Sequence, residues 1–381
     1  MCQSATRQLW LLALANFVIG MGAFVVVGVL SPVALAFDID RAHAGALMSV
    51  YAATYAVASP LLVAATGRLD RKRLMSVGLA LFALGALAAA LAPSFALLLA
   101  ARALMALGGG LVTPVAASIG VALAGPGQQG RALAIVFGGL TLAQVLGVPA
   151  GAWLGYAFGW QAAFAVVAVL SLLGLTAIAL ALPAGIAVPV ASLASLGAVL
   201  RSGRLMGAVA FTALFIGALY VCYTFLAPLL ETLYGLSRDG VTGMLLLFGL
   251  GAVVGNAMGG RLTDRIGSRR TLVLLCLAQT LLMPALTLPT WPLAVVGAII
   301  FVWSVFGWSF MVPQQARLAS LDPARLPVLF ALNASAIYVG ATLGSSVGGA
   351  VLKGLGLHAL GLFGAALALL GLASLAFRRR P

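Results

Sequence analysis

Charge is what this chain has least of. Only 7% of its 381 residues are Asp, Glu, Lys or Arg, against about a quarter in an ordinary soluble domain, so polar groups cannot clothe a water-facing surface. Seven of them are acidic, and two are lysines, Lys72 in RKR and Lys353 in LKG. Neither lysine sits in a G-x4-G-K-[ST] loop, which excludes ATP binding of that kind. The two histidines, His43 and His358, and three scattered cysteines, Cys2, Cys222 and Cys276, show no CxxC, HExxH or mixed Cys/His spacing. No metal, cofactor or disulfide framework is expected.

What is there instead is apolar. Hydrophobic residues make up 63% of the chain and mean hydropathy is +1.18, the composition of a protein that lives in a bilayer. A helix needs about 20 apolar residues to cross about 30 Å of hydrocarbon. Twelve stretches qualify: roughly 8–34, 43–66, 74–92, 95–123, 131–158, 160–182, 205–234, 240–262, 271–289, 292–318, 327–353 and 357–377. The first, from Leu9 to about Phe37, is too long for a cleaved signal segment and reads as a retained helix.

The net charge of +14 raises nucleic-acid binding as a question, and the positions of the basic residues answer it. With both termini inside, seventeen fall on the cytoplasmic side, three (Arg41, Arg238 and Lys353) outside, and Arg102 within a span. This is the positive-inside bias of a polytopic membrane protein. The basic residues are spread over seven short segments without interleaved aromatics, so no nucleic-acid partner is expected. With no nucleophile–base pair at membrane depth, neither is an enzyme.

The chain also repeats itself. TGRLDRKRLMSVGL at 66–79 parallels GGRLTDRIGSRRTLVLL at 259–275, placing Asp70 and Asp264 194 residues apart. Gly147, Gly151, Gly155 and Gly159 form a four-residue ladder on the fifth stretch, and Gly340, Gly344 and Gly348 repeat it on the eleventh at an offset of 193. The expected architecture is all-α, with twelve spans in two six-helix repeats: 1–182, a cytoplasmic linker 183–203, and 204–381. Such halves suit alternating access. Small residues every four positions let helices approach closely, and their repetition points to a moving interface between the halves rather than to packing alone.

GGRLTDRIGSRR resembles the loop signature of the major facilitator superfamily, G-x-L-x-D-R-x-G-x-R-R, through Gly260, Leu262, Asp264, Arg265, Gly267, Arg269 and Arg270. The first copy, with Gly67, Asp70 and Arg71, is one residue shorter before its aspartate and lacks the loop glycine. Asp70 and Asp264 are expected to act in charge latches that break when the cytoplasmic side opens, whereas positive-inside anchoring is the favoured account of Arg71, Lys72, Arg73, Arg269 and Arg270. GGLTLAQVLGVPAGAWLG resembles the helix-five signature of the superfamily's exporters through Gly138, Gly147, Gly151 and Gly155, with Ala152 and Tyr156 departing from it. LLLAARALMALGGG resembles the helix-four signature through Arg102 and Gly108. The resemblance is to the bacterial sugar- and drug-efflux branch, in which such an arginine is implicated in proton coupling.

A charge at the depth of Arg102 needs a partner or cavity. No acid falls in the middle third of a span, which leaves Glu231 and Asp38 as the nearest candidates for pairing or proton binding. The glutamate that relatives carry in helix one is replaced here by Ala23. By the family's arrangement, helices one, four, seven and ten line the cavity and present Asn16 and Met21; Met105 and Thr113; Tyr220, Tyr223 and Thr224; and Trp303, Phe306, Phe310 and Gln314. The resemblance implies a monomeric exporter of a small organic solute in the bacterial inner membrane, exchanging it for protons. An uncoupled facilitator and a proton-symport uptake carrier are the alternatives.

Overall fold

The structure, a computed structural model, describes residues 3–39, 41–125, 127–288 and 291–376. Cys2, Asp40, Arg378, Arg379 and Arg380 lie outside the described residues, as do the side chains of Arg41, Arg238 and Asp239. Among the described residues the chain is helical, with twelve spans long and apolar enough to cross a membrane. Spans one to six are Ala5–Ala36, Ala46–Ala65, Arg71–Ala90, Phe95–Leu123, Gln129–Gly147 within a helix running to Phe158, and Trp160–Ala181. Spans seven to twelve are Gly203–Tyr234, Gly240–Ile266, Ser268–Thr287, Leu293–Leu321, Pro323–Leu355 and Leu357–Leu375.

Local chemistry sets the ends of these spans. Ser94, Ser202 and Ser237 each accept a backbone N–H from the first turn of spans four, seven and eight, supplying an acceptor to amides that have no partner within the helix. Gly159 and Gly267, at φ of 86° and 83°, turn the chain between spans five and six and between eight and nine; residues with a Cβ rarely adopt that conformation. Span seven is interrupted, one helix ending at Tyr223 and the next starting at Leu226. Span ten breaks likewise between Trp308 and Met311. The linker contains a nine-residue helix, Leu193–Arg201, where no regular element was expected.

The chain divides into two compact units, Met1–Arg201 with Asp322–Ser335, and Ser202–Leu321 with Ala336–Pro381. In the first, span one packs along span five, two against four, and three against six. In the second, eight packs against ten and nine against twelve, while span eleven lies on span seven through its glycines. The same pairings recur, as a duplicated six-helix unit requires. Leu35, Leu180 and Leu281 are 82%, 81% and 71% exposed, the outward apolar surface that a bilayer covers.

The glycine ladders pack helix on helix. A Cβ on Gly147 would lie 2.9 Å from the Phe24 Cβ, one on Gly155 2.9 Å from the Val29 side chain, and one on Gly151 would run into the Val25 carbonyl oxygen. A Cβ on Gly340 or Gly348 would lie 2.6 or 2.7 Å from the carbonyl oxygens of Ala213 and Val221, and one on Gly344 would run into that of Gly217. Both ladders therefore seal helix pairs inside their own units, span five on one and eleven on seven. Backbone in direct contact leaves no clearance for sliding, because interiors are packed to near-crystalline density. Gly139 extends the first ladder by two more four-residue steps through Ala143, pressing on the Ala13 carbonyl. A third ladder, Gly251, Gly255 and Gly259 on span eight, meets Phe301, Val305 and Ser309 of span ten in matching register.

Candidate functional site

Arg102 is fully buried in the first unit. Its Nη1 donates to the Gly22 carbonyl oxygen of span one at 2.7 Å, and its Nε to that of Leu47 on span two at 3.3 Å. Its Nη1 also lies 3.8 Å from the Met105 sulfur, and its Cζ stands 4.4 Å from the centroid of the Tyr51 ring. Carbonyl dipoles and an aromatic face thus surround the cation, both attractive to positive charge in a low-dielectric interior. Asp38 and Glu231 are both exposed, Asp38 at the end of span one in a left-handed turn of φ 52° and Glu231 on the second segment of span seven. Carboxylates keep their hydration there at no desolvation penalty.

The groups around Arg102 extend along one face of span two. Leu47, Tyr51, Tyr55 and Ser59 recur every four residues; Tyr55 hydrogen-bonds the Thr113 side chain, and Ser59 Oγ donates to the Gly110 carbonyl at 2.6 Å. Tyr51, Tyr55 and Ser59 were not singled out from the sequence, although their four-residue spacing is visible in it. Asn16 does not stand open to a cavity: it is fully buried, and its Nδ2 donates to the Val136 carbonyl of span five at 3.0 Å. Met21 and Met105 are buried in the core of this unit.

In the second unit the expected residues form an aromatic chain. Tyr220 and Tyr223 meet edge-on at 5.5 Å between centroids, Tyr223 stacks on Phe248 at 4.8 Å, and Phe248 meets Trp303 edge-on at 5.3 Å. Trp303 is fully buried and donates from Nε1 to Gln279 Oε1 at 2.7 Å, so it is a core residue rather than a cavity wall. Phe310 stacks on Phe215 with centroids 4.3 Å apart. Gln314, also fully buried, donates from Nε2 to the Ala208 carbonyl at 2.7 Å and to Thr212 Oγ1 at 2.9 Å. Tyr220, Tyr223 and Phe306 are half-buried and Thr224 is exposed. Thr224 shares a 2.7 Å hydrogen bond with Ser345 beside the break in span seven. Phe248 and Gln279 are the members that sequence reasoning missed; in the sequence they are one apolar and one polar residue among many.

The loop aspartates differ from the expected latches. Asp70 Oδ1 accepts from the backbone N–H groups of Lys72 and Arg73 at 3.0 and 3.2 Å, capping span three. Its Oδ2 accepts from Gly185 N–H in the linker at 2.8 Å. These bonds, the Gly185 amide first, with the Arg73 charge adding to them, hold its carboxyl below the usual carboxylate range. Arg71 donates from Nη2 to the linker carbonyls of Pro189 at 2.8 Å and Val188 at 3.5 Å. Gly67 abuts the Ala191 backbone, where a Cβ would collide. Asp70 and Arg71 thus clasp the linker instead of each other. Gly260 is buried, Asp264 and Arg265 are exposed, and Arg269 donates to the Leu375 carbonyl at 2.9 Å. Among the described residues, Asp322 and Arg325 form an ion pair at 2.5 Å, a bridge the sequence did not reveal.

The Major Facilitator Superfamily model matches residues 12–325. The chain is 31% identical over 362 residues to the MFS-type transporter YbcL of Bacillus subtilis (strain 168), a match covering 95% of this chain and 93% of that one. It is 31% identical over 364 residues to the inner membrane transport protein YdhP of Escherichia coli (strain K12), again covering 95% and 93%. The E. coli fucose:proton symporter FucP superposes over all of both chains with a TM-score of 0.79 at 17% identity, which shows a shared fold. A multi-pass chain of two six-helix repeats, matched along nearly its whole length by transporters and not by enzymes, is a secondary transporter of small molecules and belongs to the major facilitator superfamily.

Proposed function

We propose that the protein exports a small organic solute across a bacterial inner membrane by alternating access, in exchange for protons. The moving bodies are residues 1–182 and 204–381, joined by the linker 183–203; both termini are cytoplasmic and the protein acts as a monomer. The observation that carries this reading is Arg102, a permanent cation kept inside span four by carbonyls from spans one and two. A buried charge in a span marks a transport pathway by default, and its field favours release of a proton and entry of an anionic or amphipathic solute. The helix-five glycine pattern, which in relatives accompanies exchange, adds the outward direction. Half-buried Tyr220, Tyr223 and Phe306 offer apolar contact and few hydrogen bonds, a chemistry better matched to an amphipathic solute than to a heavily hydroxylated sugar.

The exposure of Asp38 and Glu231 favours a second reading, an uncoupled facilitator, since the proton then needs a site elsewhere. Inverted membrane vesicles carrying a pH-gradient probe separate the two. Exchange is expected to collapse the gradient when a transported solute is added, and Arg102→Ala to abolish that response. Solute flux indifferent to an imposed gradient would establish facilitation, and proton entry accompanying solute in right-side-out vesicles would establish uptake.

A further inference from the structure

Spans nine and twelve leave an apolar groove of about 470 Å³ between the start of span nine and the end of span twelve, lined by Arg269, Val273, Leu369, Leu372, Ala373 and Leu375. It lies within the second unit and is separate from the Arg102 cluster and from the Asp70 clasp. At its mouth, Arg269 is held by one hydrogen bond to the Leu375 carbonyl, one of the orphan acceptors in the last turn of span twelve. A guanidinium has five N–H donors in a rigid fork, so most of this one remains for a ligand.

The walls continue from that cation into the membrane. Arg269, Val273, Leu277 and Leu281 recur every four residues along span nine, a single stripe of about 18 Å at the helical rise. Leu277 and Leu281 are exposed, as are Leu369 and Leu370 on span twelve, so this face meets lipid. The surrounding segment 261–270 carries Arg261, Arg265, Arg269 and Arg270 against Asp264 alone, a net +3. A groove with a cation at one end, apolar walls along an acyl-chain length and a positive rim is complementary to one negatively charged amphiphile. Membranes supply that chemistry as an anionic phospholipid, and basic pockets between spans bind such headgroups.

We propose that this groove is a binding site for an anionic phospholipid, with its phosphate on Arg269 and an acyl chain along Val273, Leu369 and Leu372. Native mass spectrometry tests it on the whole protein released from micelles containing equal phosphatidylglycerol and phosphatidylcholine. The wild type is expected to retain phosphatidylglycerol in preference. Arg269→Gln should lower that retention about fivefold, the effect of removing one basic residue from an anionic surface, while leaving phosphatidylcholine unchanged. Ala373→Phe, which fills the groove and keeps the cation, should lower retention of both, and it decides the matter if Arg269→Gln does not fold. Equal retention of the two lipids by the wild type, or wild-type retention of phosphatidylglycerol by folded Ala373→Phe, would overturn the proposal.

Discussion

The two halves keep the same loop sequence and fasten it differently. In the first, span two ends at Ala65 and a turn brings Asp70 to the residue just before span three, where its carboxylate caps the helix and grips the linker. In the second, the helix of span eight runs on through Asp264 to Ile266, and Gly267 makes the turn at φ 83°. Asp264 therefore sits in the last turn of a helix, where the macrodipole disfavours a carboxylate, and no side chain caps span nine. The extra glycine, not the aspartate, decides whether the motif becomes a clasp. The membrane interior shows a parallel divergence. Aligned on Gly108 and Gly307, Arg102 of the first half corresponds to Phe301 of the second, so a cation held by carbonyl dipoles in one unit has an apolar ring as its counterpart in the other.

Where the halves agree, matched substitutions should fail together, and this is the largest effect expected. Gly151→Leu and Gly344→Leu each drive a side chain into backbone; overpacking of that kind exceeds about 3 kcal/mol, and neither variant should elute as a monodisperse folded protein from a sizing column. Survival of one and loss of the other would break the equivalence of the repeats.

Where the halves differ, the effects should separate. Arg102→Lys loses the two-carbonyl grip and is expected to destabilise the protein by roughly 1–3 kcal/mol, while Phe301→Leu should cost less than about 1.5 kcal/mol; thermal unfolding in detergent compares them. Asp70→Ala removes the capping acceptor and should cost about 1 kcal/mol. It should also open linker residues 185–191 to protease, whereas Asp264→Asn should leave linker cleavage as in the wild type.

The smallest effect is the pH dependence of the clasp. The folded carboxyl of Asp70 is depressed, chiefly by the Gly185 amide, so its contribution is complete above the unfolded value and is lost as pH falls through the folded one. Hydrogen exchange of the 183–192 segment, corrected for intrinsic rates, should stay protected down to roughly pH 4 and open below it. In Asp70→Asn the protection should not change with pH. Opening at neutral pH in the wild type would remove Asp70 as the fastener.

Much of the fold was legible in the chain because a bilayer imposes a one-dimensional rule: about 20 apolar residues per crossing. That rule marked all twelve spans, and the offset of Gly147 and Gly340 revealed the duplication. The candidate site was legible only as a set of residue types. Asn16, Trp303 and Gln314 have the polar or aromatic character of cavity walls, yet their partners, Val136, Gln279 and Ala208, lie 120, 24 and 106 residues away. Nothing in a linear spacing says which helix face meets which carbonyl.

The sequence by itself therefore determined where the chain is membrane, that it is a doubled six-helix unit and that one arginine lies at depth, because hydropathy, repetition and charge are properties of residues in order. Only the tertiary structure decided that the glycine ladders close helix pairs within each unit, that Arg102 is held by the carbonyls of Gly22 and Leu47, and that Asp70 and Arg71 clasp the linker. Those outcomes depend on backbone groups, which every residue carries alike and which acquire partners only when distant helices are brought into register.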